Sequence, residues 1–169
     1  MMTITKDTPK EEIIERASRC KMCGNCCSVD SGYVIESDIP KLLEFFKVSE
    51  EEFKKKYLDK CEKFNKTIFK PKRVKGKKPY GRCVFLDNGK CSVHEVKPLF
   101  CRLVNCSKDC RDMMLWFDLN YIVDEHDPES IRQYALYLRH GPTIKGGELH
   151  EIVPDKKRLK KILDYEIIK

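Results

Sequence analysis

The chain has 169 residues, a size suited to one domain, with 36% charged and 41% hydrophobic residues. That apolar share supplies one modest core and excludes wholesale disorder, and no run approaches the roughly 18 apolar residues of a membrane span. The formal net charge of +7 assumes neutral thiols, and with ten cysteines present it argues only weakly for nucleic acid, because metal-bound thiolates would lower it.

Met1 to Arg19 has no apolar h-region and turns acidic at Glu11 and Glu12, so a cytoplasmic chain is expected rather than one exported by a cleaved signal. Thr8-Pro9-Lys10-Glu11 opens a helix with Ile13, Ile14 and Ala17 on one face, running straight into Cys20. A second helix is predicted from Ser37 or Asp38, with Pro40 in its first turn and Leu42, Leu43 and Phe46 buried. A third follows from Ser49, where Ser49 and Glu52 form a capping box and Val48 and Phe53 a hydrophobic staple.

From Asn65 to Tyr80 the composition turns basic, with Gly and Pro and no acid, and reads as a loop or an irregular exposed strand pair. Arg82 to Leu86 and Lys90 to His94 flank Asp87-Asn88-Gly89, a hairpin-turn signal, and would carry Cys83 and Cys91. Met113 to Val123 is apolar and aromatic and suits either helix or strand. Asp127-Pro128-Glu129 opens a clearer helix, with Ile131, Tyr134, Ala135 and Leu138 on one stripe and Gly141 as its stop. A last, basic helix follows Pro154 and carries Leu159, Ile162 and Leu163. The fold class expected is α+β: a small metal-stabilised domain over residues 1–112, with a helical extension over 113–169 packed on it.

Cysteine is the compositional outlier, at about 6% of the chain, below the roughly 8–10% of a small disulfide scaffold. In a reducing compartment, clustered cysteines favour metal ligands over bridges. The first group is Cys20-Lys-Met-Cys23-Gly-Asn-Cys26-Cys27, whose two-residue gaps let one turn aim successive sulfurs at one centre. Gly24 suits such a turn, where a positive φ is expected. In an extended segment Cys26 and Cys27 would face opposite ways, so Cys27 is expected to serve a second site or to be an exposed, reactive thiolate. The second group is Cys83, Cys91, Cys101, Cys106 and Cys110. Neither group alone closes a convincing four-ligand site, so the economical arrangement folds the hairpin onto the first group. Cys61 stands apart, on the tail of a helix, and is expected to be dispensable.

The stretch Cys20 to Cys27 resembles the CxxCxxCC signature of the YkgJ-type cysteine cluster family, described as candidate zinc- or iron-chelating domains. Gly81-Arg-Cys83-Val-Phe-Leu, Gly89-Lys-Cys91-Ser-Val-His94 and Lys97-Pro98-Leu-Phe-Cys101-Arg102 resemble the later motifs of that family. The resemblance spans roughly residues 15 to 105. Lys97 departs from the family's arginine, losing the planar guanidinium fork, and Cys106 and Cys110 fall beyond the motifs. What the resemblance implies is metal binding. Some relatives are linked to protein lysine methylation with an iron–sulfur centre, but no methyl-donor site carries over to these residues.

Among the other signals, His94 is read as a surface or hydrogen-bonding residue, and His126, His140 and His150 lie outside the cysteine groups. Arg102 suits either a thiolate or a surface ion pair. The seven basic residues from Lys66 to Lys78 read as a solvated loop rather than a nucleic-acid groove. The expected function is therefore metal binding through Cys20, Cys23, Cys26, Cys27, Cys83, Cys91, Cys101, Cys106 and Cys110. An iron–sulfur cluster of the [4Fe–4S] type is placed ahead of zinc, because the ligands outnumber one zinc site. Electron transfer, cluster handling or service to a protein-modification or maturation system would follow, with a protein client and no membrane. A zinc-stabilised adaptor for protein or RNA and a cluster-dependent protein-modifying enzyme are the competing classes.

Overall fold

The computed structural model describes residues 3–17, 20–75 and 80–168. The chain resolves into two compact units. One comprises Ile14–Cys61 and Ile68–Cys110, the other Met1–Ile13, Glu62–Thr67 and Arg111–Lys169. Among the described residues no helix is long and apolar enough to cross a membrane.

α1 (Lys10–Arg16) buries Ile13 completely, and Ala17 is buried just beyond its end. The helix stops at Arg16 rather than continuing to Cys20, and the expected continuation at 18–19 lies outside the described residues. α2 (Asn25–Val29) follows, so the Cys26-Cys27 pair expected to be extended is helical. A single 3-10 turn at Glu36–Asp38 leads into α3 (Ile39–Phe46), and α4 (Glu50–Tyr57) begins at the Ser49 cap, whose hydroxyl accepts from Glu52 N–H at 3.3 Å. Phe53 is fully buried, with Val48 packed against its cluster as the staple requires.

Among the described residues, six short strands then form three two-stranded sheets. β1 (Leu58–Lys63) and β2 (Lys66–Pro71) make a hairpin, so the stretch expected to be a loop or an irregular strand pair begins as strand, and Cys61 lies on β1 rather than on a helix tail. Its turn residues Phe64 and Asn65 both take positive φ, 48° and 59°. β3 (Arg73–Lys75) pairs antiparallel with β4 (Gly81–Cys83), setting Arg73 opposite Cys83. β5 (Leu86–Asp87) pairs with β6 (Lys90–Cys91) across Asn88-Gly89, both at positive φ, which is the two-residue hairpin the Asn-Gly signal predicts. Cys83 and Cys91 therefore belong to different sheets, not to the two arms of one hairpin. α5 (Leu99–Leu103) follows Pro98 and carries Cys101.

The core of this first unit is Val34, Ile39, Leu42, Phe53, Leu58, Cys83, Phe85 and Val93. Phe46, Phe53, Tyr57 and Phe85 form an aromatic stack, with Phe46 and Tyr57 at 4.6 Å and Phe46 and Phe85 at 5.7 Å between centroids. Asp38 ties the front of α3 to the start of α5. One carboxylate oxygen accepts from Ile35 N–H at 3.1 Å and the other from Leu99 N–H at 3.0 Å.

The second unit is mostly helical. The apolar stretch after Cys110 settles as α6 (Cys110–Tyr121), burying Met113, Trp116 and Phe117. α7 (Pro128–Leu138) starts at Asp127, which accepts from Glu129 N–H at 2.9 Å, and buries Ile131 and Tyr134. α8 (Leu149–Ile152) was not foreseen, and α9 (Lys156–Leu163) begins at Asp155, which accepts from the amides of Lys157 and Arg158. Phe64, from the β1–β2 turn, packs edge-on to Tyr134 at 5.3 Å. Lys63 sits beside it, pairing with the buried Asp118 carboxylate at 2.7 Å. That packing holds a non-glycine pair in the left-handed region.

Candidate metal centre

The N-terminal turn is shaped by backbone conformation. Met22 and Gly24 take positive φ, 51° and 72°, which fold the Cys20–Cys23 segment back before α2 begins. A Cβ on Gly24 would lie 2.7 Å from Gly89 O and 3.2 Å from Leu86 Cδ1. The turn thus presses on the tip of the β5–β6 hairpin, a position open only to glycine. Helix α2 packs on β4, which brings the first cysteine group against the second.

The sulfurs confirm that approach. Cys26 and Cys27 Sγ atoms are 3.8 Å apart on α2, not on opposite faces. Cys27 and Cys91 pack against the buried cluster that contains Cys83. Cys101 directs its sulfur inward onto the Gly32 backbone, where a Cβ would stand 2.5 Å from it. Burial and the surrounding thiols Cys26, Cys91 and Cys83 push the Cys27 thiol up to about 12. Burial, with Cys83, Cys27 and Cys91 nearby, likewise pushes Cys101 up, and Cys83 and Cys91 move the same way. A cation among these sulfurs would reverse that effect by stabilising their thiolates.

Cys106 is exposed and is raised chiefly by its neighbour Cys23, with which it hydrogen-bonds, and by Cys26 and Cys20. The reason it returns to the N-terminal turn is Asn105. This buried side chain donates from Nδ2 to Ala17 O and accepts at Oδ1 from Ser107 N–H at 2.8 Å. Asn105 was visible in the sequence but not read as a clamp. Among the described residues, Ser107 Oγ is the buried side-chain polar atom left without a hydrogen-bond partner.

Cys61 and Cys110 also make local contacts. Cys61 donates to Ile68 O at 3.6 Å within its own hairpin, and Cys110 opens α6 with its N–H on Ser107 O at 3.2 Å. Neither figures in the thiol pairs described above. None of the ten cysteines is bridged. His94 stands on a 3-10 turn, half-buried, with burial and Lys97 lowering its pKa. Among the described residues, no group of three or more Cys, His, Asp or Glu side chains is already gathered as a finished metal-binding set.

The basic stretch is largely engaged in the protein itself. Lys66 Nζ donates to Tyr121 O, Lys72 Nζ to Lys55 O, and both Lys70 and Arg73 pair with Asp30, at 3.1 and 3.6 Å. Residues 76–79, which include Lys77 and Lys78, lie outside the described residues.

The thiols that approach one another come from the CxxCxxCC turn, a strand, a hairpin and a short helix. The chain belongs to the CxxCxxCC family, described as a candidate zinc- or iron-chelating domain, whose model matches residues 19–120. That match runs through Cys106 and Cys110, beyond the motifs that carry the resemblance in the sequence. The chain is also 34% identical over 110 residues to an uncharacterized protein of Methanocaldococcus jannaschii, MJ0661, with 63% of this chain and 55% of that protein covered. The chain thus spans about half the length of this relative. No solved structure was found to match it significantly.

Proposed function

We propose that this chain is a metal protein in which the N-terminal turn and the β4–α5 segment supply thiolates to common metal, with an iron–sulfur cluster of the [4Fe–4S] type as the bound group. The observation that carries the reading is the meeting of the two cysteine groups, with Cys27 set among Cys83 and Cys91 in one partly buried pocket of sulfur. The donor set fits: every candidate ligand is a soft thiol, matched to iron–sulfur or zinc and poorly to hard cations. The Ser107 hydroxyl, next to Cys106 in the chain, has no hydrogen-bond partner among the described residues, and a donor to a metal-bound sulfur is the kind of contact that tunes such a centre.

Bound iron–sulfur would supply one-electron chemistry or a transferable cluster. The chain's own residues would hold it: Cys27, Cys83 and Cys101 from within, Cys20, Cys23 and Cys106 at the surface. Gly24 and Asn105 would keep the two halves together. The role is electron transfer, cluster handling or support of a protein-modification or maturation system in a reducing compartment, with a protein as client. A zinc centre is the second reading, favoured by the burial of Cys83 and the inward-facing sulfur of Cys101, since structural zinc sites are closed.

The test is anaerobic purification followed by iron, zinc and acid-labile sulfide analysis with visible absorption. Iron with stoichiometric sulfide supports the cluster. Stoichiometric zinc without visible absorption supports the second reading, and absence of both metals overturns the metal assignment. Cys61→Ser should leave metal content unchanged, whereas Cys23→Ser should reduce it.

A further inference from the structure

The cysteines that converge are not equivalent neighbours. Cys27, Cys83, Cys91 and Cys101 each lie near the other three, and Cys26 also lies near Cys27, Cys83 and Cys91 and Cys20 near Cys91. Cys83 is buried in the hydrophobic cluster, Cys27 and Cys91 pack against it, and Cys101 rests on Gly32. Cys106 has a different set of neighbours, namely Cys23, Cys26 and Cys20. Cys23, Cys26 and Cys106 are exposed and Cys20 is half-buried, and the Asn105 clamp on Ala17 holds their two chain segments together. Cys26 stands at the border, 3.8 Å from Cys27.

We propose that the eight thiols make two adjacent four-thiolate centres: an inner one of Cys27, Cys83, Cys91 and Cys101, and an outer one of Cys20, Cys23, Cys26 and Cys106. This rests on the metal-binding reading above and divides it into sites. The inner centre is backed by Phe100, which stands with the Cys101 sulfur against Gly32, and by the hydrophobic cluster around Cys83, and it exchanges its metal slowly. The outer centre faces solvent, so incoming thiols of a partner can displace its sulfurs one at a time. Each step of such a transfer replaces one metal–sulfur bond by another, with a proton passing from the incoming thiol to the displaced thiolate, and needs no oxidant or reductant.

The experiment uses full-length metal-free protein, reduced and kept anaerobic, titrated with zinc ions. Native mass spectrometry counts the bound ions, and alkylation with peptide mapping reports which thiols each ion protects. Two ions per chain are expected. The first protects Cys27, Cys83, Cys91 and Cys101, and the second adds Cys20, Cys23, Cys26 and Cys106. A chelator at moderate excess should strip the second at least tenfold faster than the first. The double variant Cys23→Ser/Cys106→Ser, altered only at exposed positions, should keep one ion and a native circular dichroism spectrum. One ion protecting all eight thiols, or protection that crosses the two sets from the start, overturns the division while the metal reading stands. Failure to bind zinc at all, with iron and sulfide also absent from the purified protein, overturns both.

Discussion

Gly24 and Gly89 lie back to back: a methyl group on Gly24 would come within 2.7 Å of the Gly89 carbonyl oxygen. One glycine begins the helix of the CxxCxxCC segment and the other ends the turn of the β5–β6 hairpin, so their approach joins the two cysteine groups. Their sensitivities should differ. Gly24→Ala combines a left-handed φ of 72° with a backbone collision and should destabilise the protein by roughly 2–4 kcal/mol. Gly89, at φ 76°, has nothing within 4 Å of an added Cβ, so Gly89→Ala carries only the conformational penalty, about 1–2 kcal/mol. Thermal melts of both variants check the order, and equal losses would contradict the contact.

Asp38 should behave as a tether between helices. Asp38→Ala strands the amides of Ile35 and Leu99 and should cost about 1–3 kcal/mol. Asp38→Asn keeps one acceptor and should lose about half as much. Denaturant titration of the pair measures this, with the slope expected to stay constant.

Lys63→Met leaves the Asp118 carboxylate buried without its ammonium partner and should cost about 1–3 kcal/mol at neutral pH. Burial raises the Asp118 pKa, opposed by Lys63. Removing the lysine therefore leaves the burial effect unopposed and raises it further. With a folded pKa above the unfolded one, stability is lost as pH rises from the unfolded value to the folded one and regained as pH falls. The variant's deficit relative to wild type should thus shrink toward acid pH, and a deficit independent of pH would exclude this cause.

Tyr134 donates to Gly147 O at 3.0 Å and shares a hydrogen bond with Thr143 at 2.9 Å, and burial raises its phenol to about 12. From the ordinary value of 10.0 up to about 12 the unfolded state loses a proton that the folded state keeps, so stability falls across that interval. The loss is about 2–3 kcal/mol, levelling above the folded pKa. Tyr134→Phe should be less stable at pH 8 yet show a flatter decline between pH 10 and 12, read by urea midpoints.

Metal removal should act on the unit built from Ile14–Cys61 and Ile68–Cys110 and spare the other. Structural zinc contributes roughly 10–16 kcal/mol, comparable to the whole stability of about 5–15 kcal/mol for a small domain. After chelation, limited proteolysis should open cleavage sites around Cys20–Val29 and Cys83–Cys110 while α7 stays protected. Unchanged protease resistance would refute a stabilising role for the metal.

Local signals carried a large part of the fold. Ser49, Asp127 and Asn88-Gly89 act through hydrogen bonds or dihedrals within four residues, so α4, α7 and the β5–β6 turn were legible without knowing their surroundings. The CxxCxxCC spacing and its resemblance were legible for the same reason. What the sequence by itself could not determine depends on contacts far apart in the chain. Phe64-Asn65 makes a tight turn because Phe64 packs on Tyr134, not because phenylalanine favours positive φ. Cys83 leaves the hairpin because β3 offers it a partner, and Cys26-Cys27 turns helical behind Gly24. The grouping of the thiols is the plainest case. Spacing named the cysteines, but only the packing of α2 on β4 and the reach of Asn105 to Ala17, across 88 residues, decided which sulfurs meet.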